Sequence, residues 1–281
     1  MNTVKTIKEV RHQVKVWKKE GYSVALVPTM GSLHSGHESL INRAAKENEK
    51  VVVSIFVNPI QFGKGEDLDS YPRDLHKDEI VCDSAGADLI FAPKADEMYY
   101  KDIEASVSVK ELATGLCGAK RPNHFAGVCT VVSKLFNIIP ADKAYFGEKD
   151  AQQLAIIKRM VRDLNFDIEI IGCPIVREKD GLAKSSRNMY LSSKEREAAL
   201  ILNKSLTKCR DALSNGEKST KLLKKIIKSE IEKEVLARID YIEIVDAFSL
   251  DVIDIACKPI LVAIAIYIGK TRLIDNFIYE A

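Results

Sequence analysis

The sequence has no long run of one charge sign, only one tryptophan, and six cysteines without a C-x-x-C pair among them. Its 42 basic and 40 acidic residues leave a formal net charge of +2, too even a balance for a dedicated nucleic-acid surface. The cysteines, at 82, 117, 129, 173, 209 and 257, are scattered and lack zinc-finger spacing with histidine, which suits buried or free thiols in a reducing cytoplasm. The opening MNTVKTIKEVRHQV is charged and helical in period, without the apolar centre of a signal peptide, so a cytoplasmic rather than a secreted protein is expected. The most apolar stretch, VIDIACKPILVAIAIYIG (252–269), carries Asp254 and Lys258, and its uninterrupted part is too short to span a bilayer. It reads as a turn followed by a buried strand, with no membrane partner. No internal repeat or low-complexity tract is present.

What is there fits an α/β enzyme. The 281 residues, 46% hydrophobic and 29% charged, are enough for one large domain or a larger and a smaller one. Ile7, Val10, Val14 and Trp17 share a helical face, with Gly21 at the expected C-terminal cap. Continuous apolar runs then alternate with amphipathic ones: SVALV (23–27), a helix from 38, KVVVSIFV (50–57), a helix near 73–85, ADLIFAP (87–93), a helix over 124–139, KAYFG (143–147), a helix over 149–164 and FDIEIIG (166–172). Unbroken apolar strands separated by helices imply a doubly wound, Rossmann-like parallel sheet with its ligand edge at the strand C-termini. Past residue 177 two lysine-rich helices (193–214 and 217–236) precede three strand-like runs. The expected division is therefore 1–176 as the Rossmann-like ligand-binding domain and 177–281 as a smaller α+β domain closing over the active site, with the loop 177–196 as a hinge.

Four stretches carry chemistry. PTMGSLHSGH (28–37) joins a strand to a helix, where unpaired amides and the helix dipole make an anion site. Gly31 and Gly36 let backbone approach a phosphate, and His34 and His37, three apart, can face the same way and donate to it. The competing readings are that one histidine merely caps the helix, or that H-x-x-H with Glu38 begins a zinc site, whose first shell is however incomplete. FVNPIQFGKGEDLDSYPRD (56–74) places Asn58 and Gln61 just after a strand, amides suited to a polar substrate, ahead of a loop with the look of a mobile cover; the plain alternative is a turn and a solvated loop. FGEKDAQQL (146–154) is another strand-to-helix turn: Gly147 permits close approach, Lys149 opposes the helix dipole unless an anion is bound, Asp150 suits a ribose hydroxyl, and Gln153 projects from the first turn. GLAKSSRN (181–188) gathers hydroxyls, a lysine and a forked guanidinium for a polyphosphate, or is a flexible linker. IGKTR (268–272) is a decoy: Ile264 stands where a P-loop needs glycine, so a strand-turn-strand is expected.

In this order and spacing the four stretches, with RPNHFAGVCTVV (121–132) and the C-terminal TRLIDN, closely resemble the pantothenate synthetase (pantoate–β-alanine ligase) family, across nearly the whole chain. H-x-G-H alone marks only the wider superfamily of nucleotidyl transferases. The resemblance implies an ATP-dependent ligation: ATP and pantoate give pantoyl adenylate and diphosphate, and β-alanine then displaces AMP to give pantothenate, a coenzyme A precursor. It places ATP on Met30, Gly31, Ser32, Leu33, His34, Ser35, Gly36, His37, Gly147, Glu148, Lys149, Asp150, Val176, Lys184, Ser185, Ser186 and Arg187, with Mg²⁺ assisting. His37 is implied as proton donor beside His34 and Lys149, and Gln61 and Gln153 as pantoate ligands, Gln61 also serving β-alanine. A homodimer formed by the N-terminal domain is implied as well. Three positions depart from the family pattern: Lys184 where methionine is usual, Asn123 for a common glycine, and Ala126 where a charge is frequent. For that reason Arg121 and His124 stay outside the expected core of the site. The competing functions are a nucleotidyl transferase that stops after one displacement and a non-catalytic nucleotide-binding regulator.

Overall fold

A computed structural model describes residues 1–257 and 259–280; Lys258, one of the two charges noted in the apolar stretch, lies outside them. The chain divides into two compact units. The first comprises Met1–Ala113, Gly118–Glu148 and Gln153–Pro174, and the second Thr114–Cys117, Lys149–Gln152 and the chain from Ile175 onward.

The first unit is a six-stranded, all-parallel sheet. Along the chain it runs β1 (Asn2–Val4), α1 (Ile7–Lys19), β2 (Val24–Thr29), α2 (Ser35–Glu47), β3 (Lys50–Ile55), α3 (Leu75–Ser84), β4 (Leu89–Phe91) and α4 (Ala95–Met98). After the short α5 (Leu116–Lys120) come α6 (His124–Ile138), β5 (Lys143–Gly147), α7 (Ala151–Asp163) and β6 (Glu169–Cys173). The strand order is β1-β4-β3-β2-β5-β6, so the winding reverses between β2 and β5. That reversal opens the crevice where such sheets bind ligands. Ala25, Val27, Val51 and Val53 pack against Leu40, Ile41 and Ala44 of α2 and Cys82 of α3. The alternate residues Val24, Leu26 and Val52 point to the opposite face and are equally buried, which is why these strands read as unbroken apolar runs.

Local signals set the helix boundaries. The Thr6 side chain accepts from Glu9 N–H while the Glu9 carboxylate accepts from Thr6 N–H, and α1 buries Val10, Val14 and Trp17. Gly21 follows at φ +86°, a left-handed conformation glycine adopts without penalty. The extreme N-terminus departs from the helical period expected of it, for Asn2–Val4 instead pairs with Leu89–Phe91 as an edge strand. Three residues are too few to carry a period.

In the second unit α8 (Ser193–Ala198), α9 (Ile201–Ser214) and α10 (Thr220–Ile231) precede an antiparallel sheet, β7 (Ala237–Asp246), β8 (Ile260–Ile268) and β9 (Thr271–Tyr279), in that order. Leu202, Leu206, Leu223, Ile227 and Ile231 pack on Ile244, Ile260, Val262 and Ile264, giving this unit its own core. Gly269, at φ +56°, and Lys270 join β8 to β9 as a tight hairpin, so GKT is a turn and not a phosphate loop. Among the described residues, no helix is long and apolar enough to cross a membrane.

Candidate functional site

The turn after β2 is an unusually complete hydrogen-bonded knot. Thr29 Oγ1 accepts from Gly31 N–H (3.2 Å) and donates to the Ser54 carbonyl (2.8 Å). Gly31 and Ser32 both lie in the left-handed region, at φ +79° and +52°, which turns the next amides to one side. Both of those amides meet Asp78 of α3: Ser32 N–H reaches Oδ2 at 3.0 Å and Leu33 N–H reaches Oδ1 at 2.7 Å. A Cβ on Gly31 would stand 2.8 Å from Asp78 Oδ2, so glycine is required there by space as well as by backbone. Asp78 is only 2% exposed, and burial pushes its carboxyl up from the ordinary range even though the two amides pull it down.

His34 and His37 cap α2 reciprocally. Gly36 N–H donates to His34 Nδ1 (3.1 Å), and His34 N–H donates to His37 Nδ1 (3.3 Å), with ring centroids 4.1 Å apart. Capping and a chemical role are thus compatible readings of these histidines. A ring nitrogen that accepts an N–H carries no proton, so each neutral ring holds its proton on Nε2 and presents it as a donor. The amides of Gly31, His34 and Gly36 have acceptors inside the motif, and those of Ser32 and Leu33 have theirs in Asp78 of α3.

Beside this turn stands Gln61, whose orientation follows from one carbonyl. Gly127 C=O can only accept, and Asn58 Nδ2 donates to it at 3.1 Å and to Gln61 Oε1 at 3.0 Å. Gln61 Nε2 is therefore the end directed at the weak acceptor Met30 Sδ, 3.0 Å away. Tyr99 O–H donates to Asn58 Oδ1 (2.7 Å) and completes the arrangement. A Cβ on Gly127 would come within 2.6 Å of Gln61 Cα, so this glycine lets α6 approach the Gln61 turn. Arg121 and His124, set aside on sequence grounds, join the same group: His124 Nδ1 lies 2.8 Å from the Gln61 carbonyl, and Arg121 forks onto Glu66 at 2.7 and 2.5 Å. The loop 62–74 is thereby tied to the turn that leads into α6. Asn123 sits at φ +66°, and asparagine tolerates that conformation, which explains why it substitutes for glycine here. The structure gives no reason for Ala126. Gly147 ends β5, next to β2 across the sheet reversal, Glu148 follows it at the start of a 3-10 turn, and Gln153 lies half-buried in α7.

The second unit holds Lys149, Asp150, Val176 and Lys184–Arg187. Lys149 and Asp150 lie in a 3-10 turn ahead of α7, where the Lys149 carbonyl accepts from Asn276 Nδ2 (2.8 Å). The flexible-linker reading of GLAKSSRN fails. Lys184 N–H donates to the Val176 carbonyl, Glu178 N–H to that of Leu182, and Arg177 pairs with Ala183 as a short antiparallel bridge. Ser185 caps a 3-10 turn over Ser186–Tyr190, accepting from Arg187 N–H. Arg177 grips the buried Asp275 through two bonds of 2.7 and 2.9 Å. The Lys184 ammonium lies 3.6 Å from Glu178, so the charge introduced by this departure already has a partner.

Sequence reasoning missed Asp78 and Tyr99. An aspartate early in a helix reads as a dipole-favoured residue and a tyrosine after a short helix as packing, and neither carries a local signal of a distant partner. Among the described residues no group of three or more His, Cys, Asp or Glu is arranged to hold a metal ion.

Comparison with known proteins places this geometry in context. The sequence model of the family described as Pantoate-beta-alanine ligase matches residues 2–278. The pantothenate synthetase of Enterococcus faecalis is 64% identical over 276 residues, covering 98% of each chain, and that of Clostridium acetobutylicum is 61% identical over 280 residues, covering 100% of each. Among solved structures, the pantothenate synthetase of Thermus thermophilus superposes with a TM-score of 0.94 at 43% identity, covering 99% of both chains. A Francisella tularensis pantoate-beta-alanine ligase complexed with beta-gamma ATP and beta-alanine superposes with a TM-score of 0.80 at 36% identity, covering 99% of this chain and 97% of that one.

Proposed function

The chain belongs to the pantoate–β-alanine ligase family, and we propose on that premise that it condenses pantoate with β-alanine at the expense of ATP. The observation that carries this reading is the pair of imidazoles after β2, each held with Nε2–H as its donor, beside an amide whose N–H end is set by the Gly127 carbonyl. A carboxylate resists attack by an amine, so it must first be made into an acyl phosphate.

In the first half-reaction a pantoate carboxylate oxygen attacks the α-phosphorus of ATP in line, and the bond to diphosphate breaks. Charge grows on the phosphate oxygens, and donors placed where it grows lower the barrier by about 3–4 kcal/mol each. His34 and His37 supply such donors, with His37 giving the proton. Met30–His37, Gly147–Asp150, Val176 and Lys184–Arg187 form the ATP-binding set, and Lys149, Ser185, Ser186 and Arg187 stabilise the departing diphosphate. Gln61 Nε2–H donates to pantoate, exchanging a sulfur acceptor for an oxygen, and Gln153 assists. In the second half-reaction the β-alanine amine attacks the acyl carbon, and AMP leaves. Mg²⁺ would arrive on the ATP phosphates, as small hard cations prefer phosphate and water. We also infer a homodimer and a cytoplasmic location, which light scattering and cell fractionation test.

The deciding experiment follows diphosphate and AMP separately. AMP release that needs ATP, pantoate and β-alanine together supports the ligase. Diphosphate release with pantoate alone, and no AMP on adding β-alanine, would instead reveal a nucleotidyl transferase. No release of either points to a binding protein.

A further inference from the structure

Asp78 is a buried carboxylate that the reaction as described does not use. Its two oxygens accept from successive amides, Ser32 and Leu33, of the turn that carries both histidines. Two consecutive left-handed residues, Gly31 and Ser32, aim those amides to one side, and such nests are ready-made anion sites. Here the anion is the protein's own. A serine at φ +52° is disfavoured, and Asp78 supplies the compensating bonds.

We propose that Asp78 is a positioning residue for adenylate formation: it fills the nest of the turn, so that the phosphates are met by the imidazole Nε2 donors and not by the amides of Ser32 and Leu33. This rests on the ligase reading above. The chain of contacts is short. Asp78 fixes Ser32 and Leu33, the next residue is His34, and His34 N–H sets the ring of His37. A carboxylate in the nest also excludes a phosphate from it by like charge, which keeps the substrate on the histidine side. Asp78 touches neither substrate in this scheme, so its effect falls on kcat through the imidazoles.

The test combines one variant with one measurement on the unaltered protein. Asp78→Asn keeps the shape but replaces one acceptor oxygen with an NH₂ that faces an amide N–H. Diphosphate release in the presence of pantoate should fall about 10- to 100-fold in kcat, with KM for ATP changed less than about threefold. A kcat within about threefold of wild type overturns the proposal. In wild-type protein without nucleotide, hydrogen exchange at Ser32 and Leu33 should be at least about tenfold slower than in an open chain, and Asp78→Asn should speed it. Open-chain exchange in the wild type overturns the proposal, even if the variant does not fold. A wild-type protein that releases no AMP from the three substrates would defeat the ligase reading instead. The exchange data would then decide by themselves whether Asp78 holds the turn.

Discussion

In the first unit the turn 30–37 keeps its shape through neutral hydrogen bonds and a single buried carboxylate, whereas in the second unit the loop 177–196 is laced with ion pairs. Arg177 with Asp275, Arg196 with Glu178 and Asp180, and Lys184 with Glu178 all belong to the latter. The difference matches the two tasks proposed for these regions. Donors to an α-phosphate must sit in one orientation before charge develops, and neutral bonds inside a sheet crevice provide that without screening by salt. A diphosphate leaving group carries several charges, and a loop presenting arginine, lysine and serines meets it with charge. Cations so close together need internal carboxylates, which is the role of Glu178, Asp180 and Asp275.

The largest expected break falls on the first side of this comparison. His37→Ala removes one donor and should slow adenylate formation about 10²–10⁴-fold, read as diphosphate release, while circular dichroism shows a folded chain. Turnover within tenfold of wild type would sink the assigned role. Next comes the second side. Asp275 is 1% exposed, and Asp275→Ala strands the Arg177 guanidinium, so unfolding in denaturant should show a loss of about 3 kcal/mol; under 1 kcal/mol would mean the pair is replaceable by water. Gly127→Ala inserts a methyl within 2.6 Å of the Gln61 backbone and should cost about 1–3 kcal/mol and raise KM for pantoate. If KM is unmoved, the Gln61 turn is not what this glycine protects.

Glu66→Gln sharpens the comparison through pH. Burial raises the Glu66 carboxyl, but the hydrogen bond and charge of Arg121 outweigh it and leave the pKa below the ordinary glutamate range. A lowered folded-state pKa stabilises above the unfolded value and loses that contribution as pH falls through the folded one. The wild type should therefore exceed Glu66→Gln by about 1 kcal/mol at neutral pH, with the gap closing on acidification below the glutamate range. A gap that does not vary with pH would show that packing, not charge, ties the loop down. The smallest effect is expected of Lys184→Met. Its pair with Glu178 is partly solvated, so stability should change by no more than about 0.5 kcal/mol and KM for ATP by less than about threefold. A larger rise in KM would mean that the ammonium leaves Glu178 for the nucleotide.

The parallel sheet was legible because its strands are buried on both faces and read as apolar runs such as VVV at 51–53. The helices were legible from caps such as Thr6 with Glu9, although boundaries moved where a period was interrupted: the expected helix over 193–214 breaks near Ala199, and a 3-10 turn at 148–150 precedes α7. Candidate residues were legible where glycine, histidine and amides cluster at a strand end. Their internal order was not. Nothing local distinguishes an amide awaiting a phosphate from one already bonded to Asp78, 46 residues away in the chain.

The sequence by itself determined the family, the alternation of strand and helix, and the residue types available for phosphate chemistry, because these depend on composition and spacing along the chain. Only the tertiary structure decided which atoms of those residues are available. Asp78 occupies the amides of the histidine turn, the Gly127 carbonyl sets which end of Gln61 donates, and Glu178 pairs with Lys184. Hydrogen bonds of this kind join residues that α3, α6 and the loop 177–196 bring into contact, and the acceptor that claims a donor is chosen by distance in space.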